Sequence, residues 1–268
     1  MKGTGNRWGS AAPMFARLIL LAFVLVAPAP LQAASLQGMG VVFLHGKGMW
    51  PGAFDGGIPG ALETEGAQVA SPEMPWSLRR MYGATFEQAM TEIDTAVAGL
   101  KAKGASRIVV IGHSLGANAA ISYAARRSGL AAVVAIAPGH LPETPEMRAR
   151  THDALAEARQ MYAAGEQGRH AWPDMVQGIP TFALATPAVY LSMFDPEGPA
   201  VIPKNTASLR IPFLWVVGNS DPIHERGREY AFARGAKNPA SLYMEVSAGH
   251  LTTSLAARSR VVEWLKAL

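Results

Sequence analysis

Four short runs along the chain are apolar almost throughout: Gly40-VVFLHG, Arg107-IVVIG, AAVVAIAP from Ala131 and IPFLWVVG from Ile211. Continuous apolar runs of this length, rich in β-branched residues, predict strands buried on both faces rather than half-solvated ribbons. AQVASPEM, from Ala67, is a weaker strand candidate, and SLYMEVSAG, from Ser241, is the last one. Between the strands the spacing changes. Phe86, Met90, Ile93, Val97 and Leu100 recur at three- and four-residue intervals, which predicts a helix over 85–103. A second helix is expected over 117–127, ending at Gly129. A third, over 251–268, places Leu255, Val262 and Leu265 on one side. Strands alternating with helices predict an α/β fold with a parallel sheet covered on both faces.

The alternation fails once. About 70 residues separate Pro138 from Ile211, where a single crossover helix would suffice. They contain a helical stretch, 151–164, and then a segment rich in proline and aromatic residues that includes Trp172, Phe182, Tyr190 and Phe194. An insertion of this size at one crossover is expected to form a cap over the sheet's edge, spanning about 142–204. The chain has no internal repeat.

Composition narrows the function. Of the 268 residues 49% are hydrophobic and 16% charged, which excludes a disordered or nucleic-acid-coating protein. The net charge of +4 is concentrated at the start: Lys2, Arg7 and Arg17 precede Ser35 without any acid, leaving 21 basic and 20 acidic residues beyond. That balance gives no case for a nucleic-acid partner. The three cations precede the apolar run LILLAFVLVA, 18–27, and small residues follow it. This order predicts a secretory signal peptide over 1–33, cleaved after Ala33, and an α/β domain over 34–268. The run is too short to span a bilayer comfortably, and the alternative is an uncleaved anchor. The expected location is periplasmic or secreted, with no stable membrane span after cleavage. No cysteine is present, so an exported chain rests on its own core.

The candidate chemistry begins at Gly112-His113-Ser114-Leu115-Gly116, between a buried run and an alanine-rich helix. A turn from strand to helix this tight leaves no room for side chains at Gly112 and Gly116, and it exposes the serine oxygen at a helix N-terminus. Here the sequence resembles the α/β-hydrolase family, whose nucleophile elbow is Gly-x-Ser-x-Gly. The resemblance implies that Ser114 is the nucleophile, followed in chain order by an acid and a histidine at later strand ends. Asp221 follows IPFLWVVG in Gly218-Asn-Ser-Asp-Pro, and His250 follows SLYMEV in Ser247-Ala-Gly-His. On this resemblance Asp221 orients His250, the base. Asp221 also reads as a plain helix N-cap before Pro222, and His250 as a loop residue. Glu143, after the earlier strand, is the rival acid. His113 and His224 are read as structural.

The resemblance also implies an oxyanion hole made by the backbone N–H groups of Leu115 and Lys47. Lys47 lies in the loop His45-Gly46-Lys47-Gly48, and its side chain is expected to be solvated. The same loop fails as a phosphate cradle: Gly40 lies one residue too far from Gly46-Lys47, and Gly48 replaces the hydroxyl residue that would hold magnesium. The seven histidines are scattered, so neither a metal nor another cofactor is expected. Few residues separate the leader from the first strand, so the antiparallel hairpin that often opens this fold is absent and a reduced sheet of about six strands is expected.

The reading is a serine hydrolase that cleaves small-molecule or lipid-like carboxylic esters through an acyl-enzyme on Ser114. The alternatives are an acyltransferase, thioesterase or peptidase with the same three residues, and a non-catalytic binding protein on the same fold. The pocket is expected under the cap, near Met147, Met161, Trp172, Met175, Tyr190, Met193 and Phe194. Most of these are expected to form the cap's own small core.

Overall fold

Six strands run in one direction in the central sheet of the computed structural model, which describes residues 35–268 and, before them, Gly3, Gly5 and Gly9. In chain order the first half comprises β1 (Met39–Leu44), α1 (Ile58–Thr64), β2 (Gln68–Ala70), α2 (Phe86–Ala102), β3 (Arg107–His113), α3 (Leu115–Arg126) and β4 (Leu130–Ile136). An insertion follows: α4 (Pro145–Ala163), the strands β5 (His170–Val176) and β6 (Ile179–Ala185), α5 (Pro187–Phe194) and α6 (Ile202–Thr206). The chain then returns through β7 (Phe213–Gly218), a 3-10 turn (Pro222–Arg226), α7 (Phe232–Gly235), β8 (Leu242–Val246) and α8 (Thr253–Lys266). The sheet order is β2-β1-β3-β4-β7-β8, and every pairing in it is parallel.

The apolar runs are continuous because both faces are covered. Val42, Leu44, Ile108, Val110, Val133 and Ala135 face one core, shared with α2, α3 and the insertion. Their neighbours Val41, Phe43, Val109, Ile111, Val134 and Ile136 face the other, closed by α1 and α8. Thr85 caps α2 by accepting from the Gln88 N–H, while the Gln88 side chain accepts from the Thr85 N–H. α3 starts at Leu115, two residues before the expected position, because the chain passes from strand to helix through Ser114 alone.

The insertion departs further from expectation. Its helix begins at Pro145, six residues before the expected start, where Thr144 caps it and proline occupies the first helical position. The proline-rich segment after it forms an antiparallel hairpin, β5–β6, joined by Gln177 and Gly178, both with positive φ. Pro173 and Pro180 are tolerated because each strand of a two-stranded ribbon is an edge, where a missing N–H can face outward. Apart from Gly3, Gly5 and Gly9, the leader expected over 1–33 lies outside the described residues. Among the described residues, no helix is long and apolar enough to cross a membrane.

Candidate active site

Ligands bind beyond the carboxyl ends of strands in an open parallel sheet, and the candidate residues collect there. Ser114 forms the whole turn between β3 and α3, with φ 56° and ψ −122°, a conformation that non-glycine residues rarely adopt. Its glycines are fixed by backbone contact. A Cβ on Gly112 would lie 2.0 Å from the Gly116 carbonyl oxygen, and one on Gly116 would lie 2.2 Å from that of Leu44.

Asp221 and His250 follow β7 and β8. The Ser114 hydroxyl lies 2.9 Å from His250 Nε2, and His250 Nδ1 donates to Asp221 Oδ2 at 2.8 Å. Donation from Nδ1 leaves Nε2 as the acceptor facing the serine hydroxyl. Asp221 is also the cap of the 3-10 turn, since its Oδ1 accepts from the Ile223 N–H at 3.1 Å. A carboxylate has two oxygens, so Asp221 caps the turn with one and bonds His250 with the other. Glu143 is not joined to this relay; burial raises its pKa, and it accepts a hydrogen bond from the Tyr230 hydroxyl. His224 faces Glu245.

Two histidines brace the site through backbone groups. His113 Nε2 donates to the His250 carbonyl at 3.0 Å, fastening the loop that carries His250 to the turn that carries Ser114. Burial lowers the His113 pKa to about 4, so its ring is neutral near pH 7. His45 Nδ1 donates to the Gly46 carbonyl at 2.8 Å, while its Nε2 accepts from the Met74 N–H at 3.0 Å. The Gly46 carbonyl and the Lys47 N–H belong to one planar trans peptide and point opposite ways, so holding the first aims the second. No sequence signal reveals the role of His113. For His45, adjacency to Gly46 is the only hint.

The loop carrying Lys47 runs beside Ser114, since a Cβ on Gly46 would lie 3.1 Å from Ser114 Cβ. Among the described residues, neither the Lys47 N–H nor the Leu115 N–H has a hydrogen-bond acceptor. Leu115 opens α3, where N–H groups lack partners within the helix. The Lys47 side chain, expected in solvent, is 10% exposed and bonded to Asp174 of β5 at 2.7 and 3.0 Å. A buried ammonium needs a counter-charge, and the insertion supplies it from 127 residues away in sequence.

Beside His250 lies a cavity of about 270 Å³, bounded by Gly139, Leu141, Met147, Met175 and Ile223, with Thr144, Glu146 and Arg226 among its polar groups. Gly139 faces the relay directly: a Cβ there would lie 3.2 Å from Ser114 Oγ. Trp172, Tyr190 and Phe194 instead stack on one another inside the insertion, with ring centroids 4.9 and 4.5 Å apart. Among the described residues, no group of three or more His, Asp or Glu side chains is placed to hold a metal ion.

A monoacylglycerol lipase from Paleococcus ferrophilus is similar over 85% of this chain and 94% of its own, at 21% identity and a TM-score of 0.60. An esterase from Pyrococcus furiosus matches 86% of this chain and 82% of its own, at 21% identity and a TM-score of 0.58. The thioesterase domain from the curacin biosynthetic pathway matches 84% and 90%, at 13% identity and a TM-score of 0.56. At such identities the likeness shows a shared fold. No curated protein sequence matches the chain. The sequence profile of the alpha/beta hydrolase family matches residues 41–264, and the chain belongs to that family.

Proposed function

We propose that the protein is a serine hydrolase of carboxylic esters. The observation that carries this reading is the buried relay from Ser114 through His250 to Asp221, beside a small, largely apolar cavity. His250 takes the Ser114 proton as Oγ attacks the ester carbonyl, and Asp221 keeps the imidazole in the required tautomer and stabilises its charged form. The Lys47 and Leu115 N–H groups receive the negative oxygen of the tetrahedral intermediate. His250 then protonates the leaving alcohol. Water, activated by the same histidine, releases the acid and restores Ser114.

The esterase and lipase among the structural neighbours support an oxygen ester as substrate, and the cavity suits a short acyl or alcohol group. The test is hydrolysis of p-nitrophenyl esters of increasing acyl length by the protein and by Ser114→Ala. Turnover of short esters that vanishes in the variant is expected. Turnover that survives it, or a folded protein inert to both oxygen esters and a fluorophosphonate probe, refutes the proposal. Lys2, Arg7 and Arg17 ahead of the apolar run support export, and N-terminal sequencing of the mature protein should then begin at Ala34.

A further inference from the structure

The Lys47 side chain ties the loop beside the nucleophile to the insertion. Its Nζ reaches both Asp174 oxygens and lies 3.4 Å from the Met175 carbonyl. The Asp174 side chain is 1% exposed. Its carboxylate is nevertheless fully satisfied: Oδ1 accepts from Lys47 and from the Met175 N–H at 2.6 Å, and Oδ2 accepts from Lys47 and from the Tyr82 hydroxyl at 3.2 Å. The hairpin around it is fixed in turn. Arg150 Nε on α4 donates to the Asp174 carbonyl at 2.6 Å, and the Tyr190 hydroxyl on α5 donates to the Pro173 carbonyl at 2.8 Å. The peptide joining Gly46 to Lys47 is therefore gripped twice. His45 holds its carbonyl from the side of the sheet, and Asp174 holds the lysine side chain from the side of the insertion.

We propose that Asp174 is a positioning residue: by seating the Lys47 side chain it holds the Lys47 N–H at the oxyanion site and makes that site depend on the docked hairpin β5–β6. This rests on the roles proposed above for Ser114 and Lys47. A buried ion pair serves stability poorly, since well-packed apolar residues often replace one without loss. What an apolar pair would lack here is direction. Two hydrogen bonds from the ammonium to the two Asp174 oxygens anchor the far end of the lysine stem, and with His45 holding the Gly46 carbonyl they restrict where the Lys47 N–H can point.

The experiment compares Asp174→Asn, Lys47→Met and the double variant Lys47→Met with Asp174→Leu, using p-nitrophenyl acetate, thermal unfolding and a trifluoromethyl ketone that forms a tetrahedral adduct. In Asp174→Asn, kcat should fall by about 10²-fold with KM little changed, and affinity for the ketone should fall in parallel. The double variant leaves no buried charge but deprives the Tyr82 hydroxyl and the Met175 N–H of their acceptor, so it should melt somewhat lower yet stay folded, and it should show the same loss of kcat as Lys47→Met alone rather than a doubled one. Wild-type kcat in a folded Asp174→Asn overturns the inference, as does full kcat in the double variant. Should Asp174→Asn fail to fold, the double variant alone decides. An inactive wild type overturns the Ser114 reading and this inference with it. An active wild type with unaffected variants overturns this inference alone.

Discussion

A single methyl group placed at Gly139 tests whether the distance between His250 and Ser114 is the working distance. The backbone accepts alanine there, because Gly139 is not among the residues with positive φ. The added Cβ would lie 2.7 Å from His250 Cε1 and 3.2 Å from both His250 Nε2 and Ser114 Oγ. Carbon atoms in contact prefer about 3.5–4.0 Å, so the imidazole must retreat by ~1 Å. Its retreat is opposed at both ends, by Asp221 at Nδ1 and by His113 at the backbone carbonyl. A displacement of that size costs roughly 10²-fold in rate, or about 2.7 kcal/mol of transition-state stabilisation. The assay is kcat and KM for p-nitrophenyl acetate in Gly139→Ala, with thermal unfolding as a check on folding. Gly139 also lines the cavity, so simple obstruction would instead raise KM with acyl length and spare the acetate. A folded Gly139→Ala variant with undiminished kcat on the acetate would refute His250 as the base.

Asp221→Asn keeps a side-chain oxygen to cap Ile223 but presents the wrong partner to His250 Nδ1, so a folded protein with kcat reduced about 10³–10⁴-fold is expected. Glu143→Gln, which leaves the relay untouched, should hydrolyse esters at the wild-type rate; the opposite pattern would move the acid to Glu143. Burial pulls the His113 and His140 pKa values from 6.5 down to about 4. Between those pH values the unfolded chain binds protons that the folded chain refuses, so stability falls as pH drops through this window, by up to about 3 kcal/mol for each ring. Denaturant midpoints near pH 7 and near pH 4.5 measure the loss, and equal midpoints would contradict it. Glu143, with a raised pKa, gains protons on folding and works in the opposite sense, so Glu143→Gln should steepen the loss.

What the sequence makes legible here follows from distance along the chain. Each strand of the sheet is a run of neighbours buried on both faces, so its hydrophobic signature is local and continuous. Ser114, Asp221 and His250 inherit that legibility, because each stands within a few residues of a strand end and parallel strands bring those ends together. Asp221 also shows that two local readings need not compete, since capping Ile223 occupies one oxygen and His250 the other. The insertion behaves differently. Its hairpin is obscured by Pro173 and Pro180, and Gln177-Gly178 is a weaker turn signal than Asn-Gly. The burial of Lys47 depends on Asp174, a residue whose placement is set by pairing in that same hairpin and by Arg150 on α4. No period or motif near Lys47 encodes that partner, so an isolated lysine beside glycines reads as solvated. The information is present, but it is distributed over the register of β5–β6, the position of α4 and the charge left unpaired in the loop. The residues of the relay are therefore written locally, and the pairing that buries Lys47 is written only in the assembled fold.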